Sequence, residues 1–190
     1  MKLLYLLLWA VAPAVQPNDV PMAQTEMLGV DVPDEFQVGN HRRNDQAEIM
    51  ELVQPPETVD NWSKLITSLM FFNAASNGLD SFYTAWRAKM RSACVGMTDS
   101  FTRGSVDGRP ALEAKLSCPR NPETGKAENL DAILVQGNAN MMMTQVAFRR
   151  PLTSADLALI QRVRGSLKVC DQRTLAECSA RAASGFLKAN

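Results

Sequence analysis

Histidine is almost absent from this 190-residue sequence, and that scarcity excludes much chemistry. His41 is the single side chain whose ordinary pKa lies near neutrality, so any Ser-His-Asp or Cys-His hydrolase must use it. It sits in His41-Arg42-Arg43 beside an expected hairpin turn, where a surface role is expected and a hydrolase is only a remote alternative. No G-x-S-x-G, H-E-x-x-H, G-x-x-x-x-G-K or G-x-G-x-x-G occurs, which removes the hydrolase and phosphate-binding motifs with known mechanics. Net charge is missing as well, because 20 basic and 20 acidic residues cancel. Without a global field, nucleic acid is not an expected partner. Nor is there an apolar run of the roughly 20 residues that a membrane-spanning helix needs.

The longest apolar run, Leu3 to Val11, follows Met1-Lys2 and ends in Ala12-Pro13-Ala14. A positive start, a short apolar stretch and small residues at its end read as a secretory signal over residues 1–14. No cysteine precedes Cys94, so an N-terminal lipid anchor is not expected. A periplasmic or secreted protein without a stable membrane anchor is. Cys94, Cys118, Cys170 and Cys178 form an even set, and two disulfides are the default in an oxidising compartment. Counting leaves three pairings open; Cys94 with Cys118 and Cys170 with Cys178 close the shortest loops. Zinc fails on spacing, and no metal or cofactor site is expected.

Residues 15–34 hold three prolines, Pro17, Pro21 and Pro33, and read as a flexible lead-in to a single domain over 35–190. Strands are expected at 36–43 and 46–54, the second ended by Pro55-Pro56. Thr58 or Asp60 can cap a short helix over 61–65, before a buried strand at 66–72. Leu79, Phe82, Trp86, Met90 and Ala93 recur at helical intervals and predict an amphipathic helix ending near Cys94. Strands follow at 100–106 and 110–118 around the Asp107-Gly108 turn, with Leu112, Ala114, Leu116 and Cys118 facing one way and Glu113, Lys115 and Ser117 the other. Two more, at 130–136 and 141–149, are joined through Gly137-Asn138. Thr153 with Asp156 three residues on approximates a capping box. The helix it opens carries Leu157, Ile160, Val163, Leu167 and Cys170 on one face, and a last helix is expected over 174–188. Strands joined by tight turns cannot be parallel neighbours, so the class is α+β with a mainly antiparallel sheet packed between helices.

The segment Pro55-Pro56-Glu57-Thr58-Val59-Asp60-Asn61-Trp62-Ser63-Lys64-Leu65-Ile66-Thr67 resembles the acidic turn, N-W pair and apolar strand of PsbP-like and DcrB-like domains. That resemblance implies an antiparallel sheet between helices, and it extends to small exported bacterial proteins with accessory or binding roles. The cysteine of a DcrB-like lipoprotein is missing here.

The remaining candidates have bland readings. Glu48 with Glu51, or Glu113 with Asp131, supply glycosidase carboxylates only if set across a cleft; otherwise they are the wet face of a sheet. Met141-Met142-Met143 suggests a soft-metal site, but on a strand Met142 points away from its neighbours and core packing is expected. Trp62, Phe72, Tyr83 and Trp86 are expected in the core, or alternatively lining a groove for an apolar ligand. Residues 15–61 carry ten acids against Arg42 and Arg43, and residues 149–190 carry eight bases against three acids. Those ends either attract each other within the fold or dock a charged partner. The expected function is an exported accessory or protein-interaction protein of the cell envelope, with an apolar-ligand carrier as the alternative.

Overall fold

A computed structural model describes residues 26–171. The expected signal segment, the expected last helix and Cys178 lie outside the described residues. Strands β1 (Met27–Gly29), β2 (Gln37–Arg43), β3 (Ala47–Val53) and β4 (Lys64–Phe71) precede helix α1 (Leu79–Ala93). Then come β5 (Thr98–Val106), β6 (Arg109–Cys118), β7 (Glu128–Gln136), β8 (Met141–Phe148), helix α2 (Ser154–Ser166) and β9 (Lys168–Cys170). Seven strands form one sheet in the order β2-β3-β4-β8-β7-β6-β5, every neighbouring pair antiparallel. The two short strands β1 and β9 pair with each other. No helix among the described residues is long and apolar enough to cross a membrane.

The α+β class and the sheet between helices are as the element order implies. Helix α1 packs Leu79, Tyr83 and Trp86 on Leu112, Ala114, Leu116, Ala132, Leu134, Met141 and Met143. Helix α2 packs Ile160 and Val163 on the opposite face, over Ile133, Val135, Met142, Val146 and Phe148. The period-two alternation of strand side chains thus sends Met142 into one core and Met141 and Met143 into the other. All three thioethers are buried core. At the β5–β6 turn, Asp107 and Gly108 both take positive φ, 48° and 75°, the backbone that a two-residue type I′ hairpin requires.

Several expectations need correction. The short helix over 61–65 does not form. Thr58 and Asn61 instead exchange backbone hydrogen bonds in a turn, the Ser63 N–H and O–H donate to Glu57, and β4 begins at Lys64. The helix expected to run through Cys170 stops at Ser166, because Lys168–Cys170 finds a ladder partner in Met27–Gly29. Leu157 is 53% exposed rather than part of the apolar face. Inside the expected lead-in, Leu28 and Val30 are core residues, and the buried Glu26 carboxylate accepts the backbone N–H groups of Asn138, Ala139 and Asn140.

Cys94 and Cys118 are disulfide-bonded, with Cα atoms 5.9 Å apart, and tie the end of α1 to the end of β6. Cys170 is disulfide-bonded too.

Candidate functional site

Helix α2 covers only part of its face of the sheet. Its capping box places it: Thr153 Oγ1 accepts the Asp156 N–H, and the Asp156 carboxylate accepts both the N–H and O–H of Thr153. Arg150 clamps the same carboxylate through two nitrogens, at 2.5 and 2.8 Å. Burial alone would raise the Asp156 pKa, but the Arg150 and Thr153 hydrogen bonds outweigh it and hold the carboxyl well below the usual carboxylate range. The N-terminal half of α2 is thereby fixed over β7 and β8, and among the described residues it faces the outer strands β5 and β6 across an open gap that Arg164 crosses to reach Glu113.

The result is a trough of about 370 Å³ between α2 and the outer sheet. Across its floor runs the cross-strand row Thr98, Ser117, Asn129 and Phe148. Leu152, Leu157, Ile160 and Gln161 form the helix wall. Leu152 and Leu157 are two of the four large hydrophobic residues exposed on the described surface; the others, Val95 and Phe101, flank the start of β5.

At the inner end of the trough, Arg164 Nη2 donates to Glu113 Oε1 at 2.6 Å and to both oxygens of Asp131, at 3.1 and 3.2 Å. Lys115 Nζ lies 3.4 Å from Glu113. The Arg164 Nε–H is buried and unpartnered. Burial pushes the Asp131 carboxyl above the ordinary carboxylate value, outweighing Arg164, and the Glu113 charge acts in the same direction. A desolvated carboxylate held beside a specific base at the end of a groove is a functional-site candidate on physical grounds.

The carboxylates read as the wet face of a sheet thus belong to an ion cluster with Arg164 and Lys115. Arg164 was not singled out in the sequence, although a signal existed: it follows Ile160 by four residues, next to the apolar face of α2. Glu48 and Glu51 are not brought together. Glu48 holds His41 and Arg43, while the buried Glu51 accepts Asn40 Nδ2 at 2.8 Å. His41 is on the edge strand β2, its Nε2–H donating to Glu48 at 2.7 Å.

The aromatic residues do not converge on one groove. Tyr83 and Trp86 lie in the α1 core, and Trp62 is buried with Val53, Leu65 and Ala147 while Arg149 stacks on its ring at 3.9 Å. Phe72 is half-buried under the Arg43 guanidinium. Tyr83 and Trp86 pack on each other, with ring centroids 6.1 Å apart, while Trp62 and Phe72 have other partners, so the four line no common surface. The bases near the C-terminal end also find unexpected partners: Arg149 holds Glu128, and Arg150 and Arg164 hold Asp156 and the Glu113–Asp131 pair. Among the described residues, no group of three or more His, Cys, Asp and Glu side chains is placed to hold a metal ion.

No protein-family model matches the chain, and no curated protein matches it significantly. Solved structures similar to it include the Ran-binding protein Mog1p of Saccharomyces cerevisiae (13% identity, 77% of this chain and 92% of that one, TM-score 0.47). LpqN of Mycobacterium tuberculosis, involved in cell envelope biogenesis, is similar over 80% of this chain and 87% of that one (10% identity, TM-score 0.46). The cyanobacterial PsbP of Synechocystis is similar over 83% and 99% (12% identity, TM-score 0.45). The chain spans 50% of the length of a Bacteroides thetaiotaomicron protein with which it shares 9% identity (TM-score 0.46).

Proposed function

We propose that this protein is a non-catalytic accessory factor of an oxidising, extracytoplasmic compartment, and that it docks a polypeptide segment of a partner protein in the trough beneath α2. The compartment is supported by the Cys94–Cys118 disulfide and by the signal-like segment over residues 1–14. The docking reading is carried by one observation: Leu152 and Leu157 are left exposed along an open groove whose inner end is an ion cluster built on the buried Asp131.

The chemistry of the trough selects its occupant. Asp131 and Glu113 are balanced by Arg164 and Lys115, so the site presents no net charge to attract a phosphate or a strongly ionic ligand. What it offers is an apolar wall and a row of hydroxyl and amide groups, from Thr98, Ser117, Asn129 and Gln161. That combination suits an apolar side chain flanked by peptide amides. Small-molecule sites enclose most of their ligand, whereas this trough is open along one side.

Selection of a random-peptide library against the purified, oxidised protein tests the reading. Enriched peptides are expected to share an apolar anchor and to be lost on Leu157→Asp, a substitution at an exposed position that leaves the fold intact. Peptides that bind Leu157→Asp as well as the parent protein would overturn it, and enrichment of a bound small apolar molecule in place of peptides would favour a carrier.

A further inference from the structure

The two edges of the sheet are unequal. Edge strand β2 is irregular, with a register shift between Val38 and Asn40, and it ends in His41, Arg42 and Arg43. A bulge and a run of charge are the devices that keep an edge from pairing with another chain. Edge strand β5 has neither. It pairs with β6 in unbroken register over nine residues, Thr98 to Val106, it lacks proline and lysine, and nearly all of it is exposed. Among the described residues nothing pairs with its outer side.

The sequence of β5 is also self-complementary. Asp99, Phe101 and Arg103 alternate along one face of the strand, the α1 face, where Phe101 packs on Tyr83 with ring centroids 5.0 Å apart. Turned antiparallel on itself about Phe101, the strand sets Phe101 against its own copy, Asp99 opposite Arg103, and Arg103 opposite Asp99. We propose that β5 pairs with β5 of a second copy in this register, forming a two-fold dimer through one continuous sheet.

The pairing resolves three features. Phe101, 42% exposed, gains an aromatic neighbour on the axis. Arg103, whose present ion pair with Asp80 is exposed on both sides, gains a better-ordered carboxylate. Asp99 already holds Arg87 and Arg91, so the cross-strand pair extends an existing network, and burial of Phe101 carries most of the gain. On the other face, Thr102 of the second copy falls beside Ser100 and extends the outer border of the trough, so each copy's trough is bordered by its neighbour.

Sedimentation velocity on the oxidised chain, over a wide concentration series, tests the dimer. A concentration-dependent dimer is expected, with dissociation raised about tenfold or more by Arg103→Glu, which faces two carboxylates against two, and by Phe101→Asp. The same charge reversal at the opposite edge, Arg42→Glu, is expected to leave dissociation unchanged. Register is read separately: Phe101→Cys faces itself on the axis and forms a disulfide-linked dimer on mild oxidation, while Ser105→Cys does not. Unchanged thermal midpoints of Arg103→Glu and Phe101→Cys exclude loss of fold as the cause. A chain that stays monomeric throughout, a dimer indifferent to Arg103→Glu and Phe101→Asp, or cross-linking through Ser105→Cys and not Phe101→Cys would each overturn the proposal. The groove reading is untouched by those outcomes, because Leu157 lies on α2.

Discussion

Replacing Glu26 with alanine removes the clip that binds the first described strand to the β7–β8 hairpin. Its carboxylate accepts the Asn138, Ala139 and Asn140 N–H groups at 2.8, 3.1 and 3.2 Å, and Asn140 Nδ2 donates back to the Glu26 carbonyl at 3.0 Å. Water can replace the carboxylate at the exposed Asn138, but Asn140 is fully buried and its N–H would stay unpaired, which alone costs about 1 to 3 kcal/mol. With the charge-assisted bonds to its neighbours, the loss sums to about 3 kcal/mol, against a total stability on the order of 10 kcal/mol. That corresponds to a fall of about 6 to 12 °C in thermal midpoint. Gly137 supplies an internal check, since a Cβ there would overlap the Glu26 carboxylate. Gly137→Ala should therefore destabilise the parent protein and be partly relieved when Glu26→Ala is also present. Urea unfolding of the two single variants and the double variant measures the coupling, expected at about 1 kcal/mol or more. Strict additivity, or a Glu26→Ala loss below about 0.5 kcal/mol, would refute the clip.

Other outcomes follow from the same geometry. Asp156 has a depressed folded pKa, so its contribution is complete above the unfolded value of 3.8 and is lost as pH falls toward the lower folded value; in acid titrations monitored by circular dichroism, Asp156→Asn should lose stability at neutral pH and show a flatter acid limb. Asp131 has the opposite sign: its raised pKa favours the neutral form, so its unfavourable effect grows as pH rises through the folded pKa. Thermal melts of Asp131→Asn at pH 7 should match or exceed the parent, because Arg164 keeps Glu113, whereas Arg164→Met should melt lower, because the buried Asp131 loses its ion-pair partner and Glu113 keeps only the exposed Lys115. Replacing Cys94 and Cys118 with serine opens a loop with a sequence separation of 24 and should cost about 3 to 4 kcal/mol in denaturant unfolding.

Much of this fold is written in local pattern. The alternation of Leu112, Ala114 and Leu116, the Asp107-Gly108 hairpin and the Thr153–Asp156 capping box each depend on neighbours within a few positions, and each appears where the residues put it. The 61–65 segment misled because a capping residue says where a helix can start, while Glu57 six residues from Ser63 decides that a turn forms instead. Glu26 looked like one more acid in a lead-in, since nothing local reveals hydrogen bonds to residues 112 to 114 positions away. The trough is illegible for the same reason: its walls come from β5, β6, β7, β8 and α2, and only the antiparallel register lines up Thr98, Ser117, Asn129 and Phe148. The aromatic window between 62 and 86 pointed to one cluster, and Phe71, Phe82, Tyr83 and Trp86 do share the α1 core, but Trp62, which precedes β4, packs in a separate one and Phe72 lies under Arg43.

Methyl-resolved NMR during titration with a peptide from the library selection tests the docking site most directly. The methyl signals of Leu152, Leu157 and Ile160 are expected to shift together while Leu79 and Leu134 in the α1 core stay in place. Burying the exposed half of Leu157 is worth about 1 kcal/mol, so truncation to alanine should weaken binding about fivefold. Shifts confined to the α1 face, or an affinity unchanged by Leu157→Ala, would contradict it.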